Sequence, residues 1–213
     1  MRFTVLDVPQ GSPEWHAARV GLLTGSCASA VLAKIKSGEA AERRNYRAQL
    51  VCERITGLPY EEGFVTDAMR RGTLLEPEAR SAYEALTGQL VDTTGFLRHT
   101  EHAMGCSLDG HVGNFDLVIE IKCPNSATHL GYLEADAVPS TYLPQIRHAL
   151  YITGAAACDF VSFDPRCGEG LSLFVKRVEA ADLDLPGYEA EALKFLEEVD
   201  AKVAALLSRR KVA

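Results

Sequence analysis

The order of apolar and polar residues predicts a chain that begins and ends with helices. In the last segment, GYEAEALKFLEEVDAKVAALLSRR, apolar residues recur at three- and four-residue intervals, as on one face of an amphipathic helix. The other predicted helices are marked by Ser, Thr or Pro at the start or by Gly after the last turn. They are GSPEWHAARVG with Ser12 as N-cap, TGSCASAVLAKI with Thr24 as N-cap, residues 43–56 closed by Gly57, a helix from a Thr73–Glu76 capping box to Gly88, and PQIRHALYITG with Pro144 at its start.

Four segments between these helices predict strands, at residues 90–98, 104–112, 115–122 and 158–163. Gly113-Asn114, between Val112 and Phe115, is the signal of a two-residue hairpin turn. Helices therefore flank a central sheet that contains a hairpin, which predicts a mixed fold of the α/β or α+β class. The chain contains no internal repeat, linker or low-complexity tract, so residues 1–213 are expected to form a single domain.

The predicted hairpin, CSLDGHVGNFDLVIEIKCP, places three charged residues among apolar ones. If Val112 pairs with Phe115, then Asp109, Glu120 and Lys122 share one face of the sheet, because side chains alternate along a strand. Asp109 and Glu120 become diagonal neighbours, with Cα atoms roughly 7–8 Å apart. A four-residue loop centred on the same turn keeps this pairing, whereas a three-residue loop shifts it by one residue and breaks the arrangement.

These charges have two interpretations. In the first, the hairpin is half exposed and its charges form a solvated ion pair. In the second, Glu120 and Lys122 interrupt a buried strand, where unpaired charge is costly, and they bind a metal or a substrate. Two carboxylates at this spacing can bind one hard cation at about 2.0–2.6 Å, and the backbone carbonyl of Ile121 can add a ligand. We favour the second interpretation.

Composition and charge narrow the class of protein. Of the 213 residues, 47% are hydrophobic and 24% are charged, as in a soluble globular protein. No apolar run approaches the ~20 residues of a membrane span, and the N-terminal MRFTVLDVPQG lacks the apolar core of a secretory signal, so we expect a cytoplasmic protein. The six cysteines form no Cys-x-x-Cys pair, which argues against a zinc ribbon or an iron–sulfur cluster. The net charge of −7 argues against broad nonspecific binding to nucleic acid but permits a local basic site.

Five segments resemble the lambda-exonuclease family, which comprises YqaJ-type viral recombinases and phage alkaline exonucleases of the PD-(D/E)xK nuclease superfamily. They are WHAARVGLLTGS, RGTLLEPEAR, CSLDG, EIKCP and YLPQIRHALYITG, in the family's order, and the resemblance extends over residues 10–165. It implies a restriction-endonuclease-like core, in which helices flank a central mixed sheet with a catalytic hairpin.

The same resemblance implies a Mg²⁺-dependent exonuclease, with Mn²⁺ as a substitute metal, that digests one strand of duplex DNA from a 5′-phosphorylated end. The enzyme would release mononucleotides and leave a 3′ single-stranded tail for recombination. It also implies a ring-shaped homotrimer that threads double-stranded DNA ends in a bacterium or a phage-infected host. A single-strand annealing protein is the partner that the family suggests.

The resemblance assigns catalytic roles to five residues. Asp109 and Glu120 match metal-binding carboxylates, and Lys122 matches the lysine that positions or deprotonates the attacking water. Glu76 matches a further acidic metal ligand, although its place in a capping box gives it a structural alternative. Gln145 matches a glutamine beside the attacking water, and without the resemblance it would be an ordinary residue of a first helical turn.

A second group matches residues that bind the terminal 5′-phosphate. Arg19 matches the arginine that holds this dianion, for which a planar guanidinium is well suited. Thr24 and Ser26 lie where the next helix begins, and helix N-termini bind anions, although both residues could also be plain caps. Ser107, two residues before Asp109, could face the same phosphate.

Contacts with the DNA duplex are predicted for a basic cluster and for one apolar residue. Arg43, Arg44 and Arg47 could line a DNA channel, but a charge run is more often a solvated face. Met69 stands where family members carry an apolar residue that helps to split the end of the duplex, and core filling is its alternative. Separately, Trp15 and Tyr83 are interpreted as core residues.

Three other functions compete with the exonuclease. An endonuclease of the same superfamily would cut internally and would not require Arg19. A catalytically silent DNA-end binder would not need the intact set of Asp109, Glu120 and Lys122. A metal hydrolase for small molecules would leave Arg19 and the basic cluster without a role.

Overall fold

Two four-stranded sheets form the framework of the protein. The computed structural model describes residues 2–60 and 66–210. In the first sheet the order is β1 (Phe3–Leu6), β3 (Phe96–His99), β4 (Met104–Cys106) and β2 (Leu23–Thr24). In the second sheet it is β5 (Gly110–Val112), β6 (Leu117–Lys122), β7 (Ala157–Phe163) and β8 (Leu173–Glu179). Each sheet contains one parallel pair, β2 with β4 and β6 with β7, so both are mixed.

Helices pack around these sheets, which confirms the predicted mixed α/β class. Within the described ranges the α-helices are α1 (Pro13–Arg19), α2 (Ala28–Leu32), α3 (Ala41–Thr56), α4 (Asp67–Thr87), α5 (Ser126–Ala135), α6 (Leu143–Thr153) and α7 (Leu185–Arg210). None of those described is long and apolar enough to cross a membrane.

Several helix ends lie where the sequence predicts them. The Ser12 hydroxyl accepts a hydrogen bond of 3.1 Å from the backbone N–H of Trp15 and caps α1. Gly57 and Gly154 end α3 and α6 with φ of +71° and +72°, a conformation that glycine adopts at little cost. The predicted helices α1, α3, α6 and α7 are therefore confirmed.

Two predicted helix starts are wrong. Helix α4 begins at Asp67 and continues through Pro77, so Thr73 and Glu76 are interior residues and form no capping box. Ala79 and Tyr83, on the following turns, are fully buried against the second sheet, and this packing outweighs the backbone hydrogen bond that Pro77 removes. The second predicted helix starts instead as a 3₁₀ turn before α2, and the Thr24 side chain makes no capping hydrogen bond.

The predicted strand over residues 104–112 is in fact two strands that belong to different sheets. The chain leaves the first sheet after Cys106 and enters the second at Gly110. Ser107 and Asp109 lie in the short crossing between them. Strands β1 and β8 and helix α5 were not predicted from the sequence.

The hairpin turn has four residues, 113–116, and not the predicted two. Val112 pairs with Leu117 instead of Phe115. The Phe115 ring lies 4.9 Å from Phe3 and 4.0 Å from His111 between ring centroids, and this packing withdraws Phe115 from the strand into the turn. The register therefore shifts by two residues, and because side chains alternate with a period of two, Glu120 and Lys122 keep the face predicted for them, while Asp109 reaches β6 from the crossing.

Strand β6 separates two apolar layers. Val118 belongs to the main core beneath α3, α6 and α7. Ile119 and Ile121 face the other way, toward Ala79 and Tyr83 of α4. A buried strand with apolar packing on both sides thus carries Glu120 and Lys122, as the second interpretation of the hairpin requires.

The hydrogen bond of the buried Tyr83 hydroxyl should contribute measurably to the stability of this framework. The hydroxyl donates a hydrogen bond of 2.7 Å to Asp159, which also accepts two from Arg177. We expect Tyr83→Phe to lower the free energy of unfolding by about 1.5–3 kcal/mol, as for hydrogen bonds to charged groups. Urea titration measures this change, with Tyr60→Phe, at a half-exposed tyrosine, as the control. Equal stabilities of the two variants would contradict it.

Candidate active site

Two cavities meet at Asp109. The smaller, of about 130 Å³, contains Arg19, Ser26, Ser107, Glu120 and Gln145 in its wall, together with Gln10 and Trp15. The larger, of about 520 Å³, is lined by Glu76, Ile121, Lys122 and Tyr142 among others. Asp109 lines both. The fold thus brings most of the predicted catalytic and phosphate-binding residues to one place, although they come from distant segments.

Asp109, in the crossing between the sheets, is hydrogen-bonded to strand β6. Its carboxylate accepts a hydrogen bond of 2.7 Å from the backbone N–H of Ile121, between Glu120 and Lys122 on β6. Arg80 binds the Asp109 backbone carbonyl at 2.9 and 3.2 Å and the Glu76 carboxylate at 2.8 Å. Arg80 therefore connects α4 to the Asp109 segment.

Glu120, which is buried, and Lys122, which is partly exposed, form an ion pair in direct contact. Burial raises the pKa of Glu120 to about 7, with Lys122 opposing the rise and Asp109 adding to it. Burial alone would lower the pKa of Lys122, but the Glu120 and Asp109 carboxylates outweigh it and raise that pKa above its ordinary value. The Lys122 ammonium also lies 5.5 Å from the centre of the Tyr142 ring. Lys122 is therefore held in place and positively charged in this state.

Glu76 completes an acidic group around Asp109. Burial, followed by the negative charge of Asp109, raises the pKa of Glu76 to about 7, against the effects of Arg80 and Lys122. The negative charge of Asp109 thus disfavours the ionisation of Glu76 and of Glu120, an effect that a bound cation would relieve. Oxygen donors of this kind suit a hard divalent ion.

The predicted metal ligands are adjacent rather than already arranged around one point. Across residues 2–60 and 66–210, no three His, Cys, Asp or Glu side chains are set to share an ion. Instead, Lys122 donates a hydrogen bond to the Glu120 carboxylate, and the Ile121 N–H donates one to the Asp109 carboxylate. Ile121 itself lines the larger cavity, and ligation by its carbonyl stays a prediction.

The smaller cavity contains the guanidinium of Arg19, which forms no ion pair with any residue that the structure describes. The guanidinium carbon of Arg19 lies 4.0 Å from the centre of the Trp15 ring, and one amino group donates a 3.4 Å hydrogen bond to the Thr24 hydroxyl. Among the described residues, no carboxylate lies within 4.0 Å of it. Burial lowers the pKa of Arg19, but a guanidinium stays charged in proteins. Ser26 and Ser107 line the same cavity, so the groups present would suit an anion, and we refer to Arg19, Ser26 and Ser107 as the candidate anion site.

The predicted DNA-binding cluster does not join these cavities. Arg43 and Arg47, only 13% and 10% exposed, form ion pairs with Glu39 and with Glu198 of α7. Their charges therefore connect α3 to α7. Arg44 is exposed on α3, and its predicted contact with DNA stays a prediction.

Met69 falls in α4, but its side chain lies outside the described part of the structure, so its predicted contact also stays a prediction. Three residues were missed or misread from the sequence, namely Trp15 and Tyr142, which line the cavities, and Arg80, which binds Asp109 and Glu76. The core interpretation of Trp15 is wrong, because its side chain is partly exposed in the wall of the smaller cavity. The four-residue spacings from Trp15 to Arg19 and from Glu76 to Arg80 were the available signals, since such residues are neighbours on a helix.

A known family matches most of the chain. Residues 14–156 match the model of the YqaJ-like viral recombinase domain. A search of curated proteins gave no significant match.

Solved structures extend this similarity. The structure resembles LHK-Exo, an alkaline exonuclease from Laribacter hongkongensis, with a TM-score of 0.85 and 37% sequence identity over 95% of this chain and 100% of that one. One of its structures is a complex with dAMP. A phage related exonuclease from Haemophilus somnus 129PT has a TM-score of 0.65 at 15% identity, over 89% of this chain and 96% of that one, and shares the fold.

Proposed function

We propose that this chain, which belongs to the YqaJ-like viral recombinase family, resects one strand of duplex DNA in the 5′-to-3′ direction. The family and the similarity to LHK-Exo make it a DNA nuclease with an exonuclease role on DNA ends. The direction, the requirement for a 5′-phosphate, Mg²⁺ as the metal and a 3′ single-stranded product are the proposal.

The observation that carries this proposal is the position of Arg19 in the same cavity as Asp109 and Glu120. A terminal 5′-phosphate bound by Arg19, Ser26 and Ser107 would direct the next phosphodiester of that strand toward the carboxylates. Cleavage there would release one nucleotide that carries the bound phosphate. The dAMP in the LHK-Exo complex belongs to the same chemical class as this product.

Asp109, Glu120 and Glu76 would hold the metal, with the Ile121 carbonyl as a further ligand. A bound Mg²⁺ would activate water and neutralise charge on the phosphate and the leaving oxygen. Lys122, on the same strand face, would orient the attacking water and control its proton. Gln145 would accept or donate a hydrogen bond to that water from the first turn of α6. Both carboxyls with pKa values of about 7 would ionise fully once the cation is bound.

The remaining parts of the proposal rest on the family. They are a homotrimeric ring around the DNA, a single-strand annealing protein as partner, and contacts of Arg44 and Met69 with the duplex. Arg43 and Arg47 could bind DNA only if they contacted it while keeping their ion pairs with Glu39 and Glu198.

Three DNA substrates test the function. We expect Mg²⁺-dependent loss of linear duplex DNA, faster with a 5′-phosphate than with a 5′-hydroxyl, and none in EDTA. A covalently closed circle should survive. Cutting of the circle would indicate an endonuclease, and binding to ends without release of nucleotides would indicate a silent end binder.

Mg²⁺ should stabilise the protein in a pH-dependent manner. In the metal-free protein, the raised pKa values of Glu76 and Glu120 contribute stability below the ordinary value of 4.5, and this contribution is lost as pH rises through about 7. Bound cation reverses the loss, because it favours the ionised carboxylates. The increase in Tm caused by Mg²⁺ should therefore be larger well above pH 7 than well below it. Thermal melts with Mg²⁺ or with NaCl of equal ionic strength measure this, and equal increases at both pH values would contradict it.

A further inference from the structure

Trp15 contacts two of the residues that form the candidate anion site. Its ring face lies 4.0 Å from the guanidinium carbon of Arg19, and its indole N–H donates a hydrogen bond of 2.8 Å to the Ser107 hydroxyl. Its own backbone N–H is capped by Ser12 at the start of α1. One side chain thus joins α1 to the crossing segment that carries Asp109.

The hydrogen bond from Trp15 determines what Ser107 can do. An indole N–H can only donate, so the Ser107 oxygen must accept, and the hydroxyl hydrogen of Ser107 is directed elsewhere. Ser107 lines the smaller cavity together with Arg19, whose guanidinium carries a positive charge. Its hydroxyl is therefore preset as a donor, the role that an anionic oxygen requires.

The ring of Trp15 has a corresponding effect on Arg19. The two residues are one helical turn apart on α1, and stacking on an aromatic face restrains a guanidinium while its N–H groups at the edge remain able to donate. The Thr24 hydroxyl accepts one of these hydrogen bonds. Arg19 is thus held in place by Trp15 and Thr24 and not by a carboxylate of the described residues, so its charge remains for a ligand.

We propose that Trp15 is a positioning residue that presets Arg19 and Ser107 for the terminal phosphate and so determines the preference for 5′-phosphorylated ends. The inference rests on the proposed function, since it names the residue on which that preference depends. Trp15 itself need not contact the phosphate.

The fluorescence of Trp15 tests this directly, because it is the single tryptophan of the chain. In EDTA, where no strand is degraded, duplex DNA with a 5′-phosphate should change the emission in a saturable way. The same duplex with a 5′-hydroxyl should change it much less. A Ser107→Ala variant keeps the tryptophan and should show a smaller difference between the two duplexes. Identical responses of the wild-type protein to both duplexes would overturn the inference without the need for any variant at Trp15.

Rates separate this inference from the proposed function. Trp15→Phe keeps a ring for Arg19 but lacks the indole N–H that directs the Ser107 hydroxyl toward the phosphate. The ratio of kcat/KM for phosphorylated over hydroxyl ends should therefore fall about tenfold, as for the loss of one hydrogen bond from Ser107 to the charged phosphate. Trp15→Leu lacks both contacts and should lower the ratio further. Rates on hydroxyl ends should fall much less than rates on phosphorylated ends. His16→Ala, on the exposed side of α1 where His16 touches the edge of the Trp15 ring, serves as the control and should keep the ratio.

Each outcome has a distinct meaning. A wild-type protein without any preference would remove the phosphate requirement from the proposed function and the inference with it. A preference that both Trp15 variants retain would leave the proposed function standing and overturn the inference. Equal loss of rate on both ends would make Trp15 a structural residue and would also overturn it. If neither variant folds, the fluorescence responses of the wild-type protein to the two duplexes decide whether the inference stands.

Discussion

A Lys122→Met variant should degrade linear duplex DNA at least about a thousandfold more slowly than the wild-type protein, within the range that positioned proton-transfer groups contribute. Methionine keeps an unbranched side chain of similar length but has no ammonium. The variant cannot orient the attacking water or balance the charge of Glu120, which Lys122 contacts directly. Release of acid-soluble nucleotides under single-turnover conditions measures the rate.

The control for this variant is Lys176→Met. Lys176 lies on β8, partly exposed, and its ion pair is with Asp136 rather than with a residue of the two cavities. Its replacement should leave the rate nearly unchanged. Lys122→Met should also retain DNA-end binding, because Arg19, Ser26 and Ser107 remain. A variant that still degrades DNA at a rate close to wild type would remove Lys122 from the mechanism.

Asp109→Asn should cause a loss of similar size, at least about a thousandfold, because it removes negative charge from the centre of the proposed metal site. The amide oxygen can still accept the hydrogen bond from the Ile121 N–H, so the crossing segment should keep its position. The variant should therefore fold normally but lose most of the increase in Tm that Mg²⁺ causes. Both the rate and the melting curve are to be measured.

Asp116→Asn provides the matched control, since Asp116 is exposed in the turn of the same hairpin. It should retain activity and the response to Mg²⁺.

The Lys122 and Asp109 variants also differ from each other in an informative way. Lys122→Met should keep stabilisation by Mg²⁺ whereas Asp109→Asn should not. If Asp109→Asn responded to Mg²⁺ as fully as the wild-type protein, the proposed metal ligands would be wrong.

The chemistry of the site was largely readable from the chain. A buried strand that contains Glu120 and Lys122 violates the preference of such strands for apolar residues, and this violation indicates function. The predicted proximity of Asp109 to Glu120 and Lys122 survived an error in the hairpin register, because a shift by two residues keeps each strand side chain on its face. Helix ends at Ser12, Gly57 and Gly154 were likewise predictable, since capping depends on the local backbone alone.

Contacts between distant segments were decided only by the tertiary structure. The ring of Phe115 packs against Phe3, more than a hundred residues away, and this lengthens the turn. Glu39 and Glu198 neutralise Arg43 and Arg47, which the sequence alone presented as a free basic cluster.

The same distinction explains Trp15 and Glu76. Whether a tryptophan fills the core or lines a cavity depends on what lies opposite its ring, and here this is Ser107 from the crossing between the sheets. The elevated pKa of Glu76 depends on burial and on Asp109, which approaches it only in the folded chain. The sequence by itself determined that charged residues interrupt an apolar strand and on which face they lie, because these features depend on local periodicity. The tertiary structure decided which charges are neutralised and which remain for the substrate, because electrostatic interactions act between segments that only folding brings together.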